Sequence, residues 1–150
     1  MDVGIDTLFD MLSWNSDAET QKKGIELGKK VKCISVFLQP SGPEHSKDVW
    51  ENCARILSGC PDDSLKHCMS GLLAWLQDMN WPGAEIILQR LLEFRDAGFL
   101  SAFMVRCVKE ALACDDQIWL GNMSALIANE GMKDCLPRDI YNVLFSRYKI

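Results

Sequence analysis

Apolar residues recur along this chain at the three- and four-residue spacing of helix faces, and alternation of period two is scarce. Ile140, Tyr141, Leu144, Phe145 and Tyr148 form one such stripe, predicting a C-terminal helix with Pro137 at its start and Arg147 and Lys149 at its end. From Phe99 to Leu112 nearly every position is apolar, and only Arg106, Lys109, Glu110 and Ala113 form a polar or neutral strip. That pattern predicts a largely buried helix. Between Leu72 and Phe94 two apolar helices flank a short corner, Asp78-Met79-Asn80-Trp81-Pro82-Gly83. The one strand-like stretch, Val31 to Leu38, is β-branched in part and ends before Pro40; its context favours helix.

Start and stop signals divide the rest. Ser16-Asp17-Ala18-Glu19 reads as a capping box. Ser41-Gly42-Pro43 breaks the chain before a helix through Asp48 to Leu57, which Gly59-Cys60-Pro61 ends. Asp62, Asp63 or Ser64 can cap the next helix, and Asn80 the helix after the corner, with Pro82 in its first turn. Laying the second helix of each pair over the others aligns Leu27, Leu57, Leu91 and Leu126, at intervals of 30, 34 and 35 residues. A two-helix unit repeating at that period predicts stacking, because one pair cannot bury its apolar face alone. The expected fold is all-α, a short α-solenoid of stacked antiparallel pairs resembling HEAT or armadillo repeats, with eight or nine helices in one domain spanning residues 1–150. An irregular helical bundle is the alternative.

Composition narrows the setting. Of the 150 residues 48% are apolar and 25% charged, which suits a globular chain with a real core. The net charge is −5, with eight Lys and Arg in each half against eleven and ten acids. So even a balance offers no basic stripe for nucleic acid and no polybasic membrane anchor. Three aspartates interrupt the apolar N-terminus, unlike a signal peptide, and no run reaches membrane-spanning length. A cytoplasmic location is expected, with the seven cysteines as reduced, small hydrophobes.

Candidate chemistry is sparse. No C-x-x-C pair occurs, and the spacing of Cys53, Cys60 and Cys68 is that of helix faces, so no metal site is expected. Only His45 and His67 could act as bases. Neighbours on a helix point about 100° apart, so His67 and Cys68 cannot pair, and both histidines are expected at the solvated surface. Asp62-Asp63 and Asp115-Asp116 precede helices and are read as caps. No glycine-rich phosphate loop appears, and neither a catalytic residue nor a cofactor is expected. Of the tryptophans, Trp50 and Trp75 sit among apolar helical neighbours and read as core, Trp14 lies at the first corner, and Trp119 starts a helix. Trp81 is expected to fold back as a staple, its indole N–H reaching a carbonyl or Asp78; its other reading is an exposed contact anchor.

Trp50-Glu51-Asn52-Cys53-Ala54 and Trp75-Leu76-Gln77-Asp78-Met79-Asn80-Trp81-Pro82-Gly83-Ala84 carry a resemblance. Together with the Ile87-Leu88-Gln89-Arg90-Leu91 pattern, they resemble a bacterial family known as a domain of unknown function, the one numbered 5071. The likeness spans roughly Val31 to Leu112. It implies a bacterial, intracellular, helical protein and brings no activity or catalytic residue. The expected function is therefore a non-enzymatic module that binds another protein or a peptide through Asp78, Asn80 and Trp81. The alternative is a small-molecule-binding domain or an enzyme whose site is assembled near the 78–83 corner, where His45 could join those three.

Overall fold

The computed structural model describes residues 4–148, and among these every regular element is helical. The α-helices are α1 (Ile5–Leu12), α2 (Ala18–Gly28), α3 (Lys47–Ser58), α4 (Asp62–Leu65), α5 (Met69–Trp75), α6 (Ala84–Leu92), α7 (Ala97–Ala113), α8 (Gln117–Ser124), α9 (Met132–Cys135) and α10 (Arg138–Phe145). Three 3-10 turns join them, at Ile34–Phe37, Lys66–Cys68 and Ala125–Ala128. The second makes α4 and α5 one kinked body and the third extends α8, so the described residues hold nine continuous helical bodies and the isolated turn at Ile34–Phe37. The strand-like stretch is that turn.

Side-chain caps start several helices, though not always at the residue the sequence suggests. Asp17, not Ser16, caps α2, accepting from Thr20 N–H at 2.8 Å. The Ser16 hydroxyl instead donates to the Asp10 carbonyl at 2.7 Å, holding the end of α1. Asp96 and Asp116 cap α7 and α8 through Phe99 N–H and Trp119 N–H, each at 3.0 Å. Such caps satisfy donors that the first helical turn leaves free. Arg147 closes α10 by donating to the Val143 carbonyl at 2.8 Å; Lys149, its expected companion, lies outside the described residues.

Neighbouring helices pack along two tracks. On one, α2 lies against α3, α3 against α6, and α6 against the Ala125–Ala128 turn. On the other, α5 lies against α7, and α7 against α8 and α9. Leu57, Leu91 and Leu126 are fully buried on the first track. Leu27 departs from the pattern and is only partly buried. There α2 turns glycine inward: a Cβ on Gly28 would overlap Ile56 Cδ1, so the absent side chain sets how closely α2 approaches α3.

Two helices are less buried than their composition predicts. Along α7 the buried row is Leu100, Met104, Cys107, Val108 and Ala111, while Phe103 is half-buried and Leu112 exposed. Its neighbours cover one side only, and Arg106 sits over the Phe103 ring at 5.5 Å. On α10, Ile140 and Leu144 face inward, whereas Phe145 is exposed and stacks on Tyr141 at 5.9 Å.

Candidate functional site

The segment between the first 3-10 turn and α3 cannot continue as helix. Pro40 and Pro43 lack N–H donors, and Gln39 takes a left-handed φ of 43°. Gly42 N–H donates to the His45 carbonyl at 2.8 Å and closes the loop. The Trp50 indole N–H donates to the Pro40 carbonyl at 2.8 Å and pins the loop to α3. This geometry aims the His45 imidazole at two carboxylates. Its Nδ1 lies 2.7 Å from Asp48 on α3, and its Nε2 lies 2.6 Å from Asp10 on α1.

His45 is therefore not the solvated surface residue expected from sequence. Its side chain is 18% exposed, because α1 and α3 close on it from both sides. Hydrogen bonds to Asp10 and then to Asp48 raise its pKa above the ordinary histidine value, against the opposing effect of burial. Burial would push the Asp48 carboxyl up, yet the bonds it accepts from His45 and Ser46 N–H hold it below the usual carboxylate range. Both effects favour an imidazolium between two carboxylates, and both ring nitrogens are engaged by them. Beside it opens a cleft of about 450 Å³, with Asp6 and Phe9 of α1 on one wall and Pro40 to Glu44 on the other.

The 78–83 corner lies elsewhere. Asp78 accepts from Asn80 N–H at 2.8 Å in a local turn, and the Asp78 carbonyl accepts from Trp81 N–H at 3.1 Å. Asn80 is exposed and does not cap α6; Gly83 holds that position at φ 87°. Pro82 consequently precedes the helix instead of opening it. Trp81 is half-buried with its ring edge-on to Trp50 at 5.7 Å, and Trp50 is edge-on to Trp75 at 6.2 Å. The bond to a carbonyl expected of Trp81 is made by Trp75, whose indole N–H donates to Pro82 at 3.0 Å. Asp78, Asn80 and Trp81 do not line the cleft beside His45, so the four residues do not converge there.

Two ties between elements leave no motif in the sequence. Arg90 donates to the Ser58 carbonyl at 3.1 Å and the Cys60 carbonyl at 2.9 Å, and pairs with Asp62. It thus satisfies the end of α3 from α6. Asp62 consequently serves as an ion-pair partner, accepting also from Arg95 N–H at 3.0 Å, and Pro61 occupies the cap position of α4. Buried Asn129 donates to the Leu91 and Phe94 carbonyls, both at 2.9 Å, and closes α6. Only the basic residue in the last turn of α6 hinted at either.

The cysteines carry no paired chemistry. All seven are free thiols; burial pushes Cys53 up to about 12 and Cys107 up to about 11. Cys33, Cys114 and Cys135 are exposed, so these three are not the core hydrophobes expected. Among the described residues no group of three or more His, Cys, Asp or Glu is placed to hold a metal ion, and no helix is long and apolar enough to cross a membrane.

No curated protein and no solved structure matches the chain significantly. The loop histidine, the tryptophan corner and Arg90 nevertheless fall together within one matched stretch, residues 41–138, and on that match the protein belongs to the family described as Domain of unknown function (DUF5071).

Proposed function

We propose that the protein is a non-enzymatic peptide-binding module, built as a short solenoid of stacked helix pairs. The track α2, α3, α6 and the Ala125–Ala128 turn supports the stacked architecture, with Leu57, Leu91 and Leu126 buried at successive steps. The observation that carries the binding role is the cleft between α1 and the proline loop. Phe9, Pro40 and Pro43 give it apolar walls, and Asp6 and Glu44 supply negative charge. Such a lining suits a short peptide segment that pairs a basic side chain with an apolar one. His45 contributes by fixing the walls. A cytoplasmic setting fits the free thiols.

A peptide array varying Lys and Arg against apolar neighbours tests the proposal, with binding read by fluorescence anisotropy. Charge reversal at both Asp6 and Glu44 is expected to weaken a selected basic peptide by at least about tenfold at low salt. Equal binding of acidic and basic peptides, or indifference to the reversal, overturns the cleft assignment. Loss of binding in Asp78→Ala or Asn80→Ala with the cleft variants unaffected would move the surface to the corner.

A further inference from the structure

The histidine clasp contains a proton count that fixes how it must respond to pH. Two ring nitrogens face two carboxylate oxygens at 2.6 and 2.7 Å. An imidazolium has two N–H donors and serves both acceptors; a neutral imidazole has one and can serve only one. Its other nitrogen then turns a lone pair on a carboxylate at hydrogen-bond distance, which is repulsive. One half of the clasp must open when the proton leaves to solvent.

The surroundings decide which half. Asp48 sits three residues from His45, is 18% exposed, and also accepts from Ser46 N–H at 2.8 Å. Asp10 is 35 residues away in sequence and 64% exposed, so water replaces its histidine bond readily. Asp10 also lies outside the family-matched stretch, so its bond joins α1 to that stretch. We propose that His45 is a proton-controlled latch: as imidazolium it fastens α1 to the proline loop across the cleft, and as neutral imidazole it keeps Asp48, releases Asp10 and loosens the cleft walls.

Other ties of α1 keep the opening local: Asn52 donates to the Leu12 carbonyl at 2.8 Å, Phe9 meets the Phe37 ring at 6.3 Å, and Leu8 and Leu12 are buried, none of them through His45. Besides Asp10 on α1 and Asp48 on α3, the charged groups that line the cleft with the imidazole are Asp6 of α1 and Glu44 of the loop. Both are acids, the sign of charge that does not oppose an imidazolium. The latch needs no ligand, so its failure and a failure of the peptide-binding proposal are separable.

Imidazole NMR and amide exchange, the latter corrected for intrinsic rates, test it on the full chain between about pH 6 and pH 9, a window around the ordinary histidine value. His45 is expected to titrate above about 6.5, with protection of α1 and loop amides falling about twofold to fivefold through that titration. Asp10→Ala removes the released partner, and should leave protection low at every pH with no step. His45→Gln should likewise resemble the high-pH form throughout. The proposal is overturned if protection shows no step at the His45 titration, or if the step persists in Asp10→Ala. Because Asp10 is a surface residue, that variant is expected to fold, and its unchanged helical circular dichroism provides the check.

Discussion

The tryptophan corner and the histidine clasp are both short polar breaks between helices, yet they are held in opposite ways. The corner is held by neighbours in sequence: Asp78 bonds Asn80, Trp75 bonds Pro82, and Gly83 supplies the turn. The clasp joins α1 to α3 through a contact spanning 35 residues. A sequence motif shows the first kind of break plainly and the second hardly at all. Recognisability thus tracks local geometry, while the groups with unusual electrostatics assemble from a distance.

The sharpest way to break the corner is Gly83→Ala. The new Cβ would stand 2.7 Å from the Ala54 Cβ and 3.0 Å from the Trp50 carbonyl, at a φ that L-residues avoid. We expect about 3 kcal/mol lost in urea unfolding; a loss below about 1 kcal/mol would mean that α6 and α3 are not closely seated there. Next comes Arg90→Met, which strands the Ser58 and Cys60 carbonyls and the Asp62 carboxylate. About 2 kcal/mol is expected, measured the same way, and Asp62→Asn should cost less in the Met background than alone.

The clasp responds to pH where the corner does not. His45→Gln should cost about 1 kcal/mol near pH 6, a modest figure because Asp10 is well solvated. The folded pKa of His45 is raised, so its contribution is complete below the unfolded value of about 6.5 and fades as pH climbs through the folded value. Wild type and variant should therefore converge at alkaline pH in thermal unfolding; a gap that widened there would reverse the sign. The smallest effect belongs to Asn80→Ala, within about 0.5 kcal/mol, because Asn80 is exposed and caps nothing.

Helix was legible from periodicity, and so were most breaks, because Pro, Gly and capping acids act within a few residues. The leucine anchors at 57, 91 and 126 stood out for the same reason, as each marks a buried helix face. Leu27 misled because glycine carries no hydrophobic signal, yet Gly28 provides the close contact. Composition misled along α7: apolar content says what a helix can bury, while the number of neighbours says what it does bury. Within the candidate site, even the His45–Asp48 pair, three residues apart, stands out from no motif or periodic pattern. Asp10, Arg90 and Asn129 reach partners far along the chain, and such pairings leave no periodic trace.

One residue belongs to both regions. Trp50 touches the Trp81 ring on one side and holds the Pro40 carbonyl with its indole N–H on the other. Corner and loop therefore share a wall. Substitutions at Trp81 and in the proline loop should not behave as independent perturbations, and their free energies should fail to add. Selection acting on the recognisable corner would then constrain the cleft as well, with no direct contact between the two.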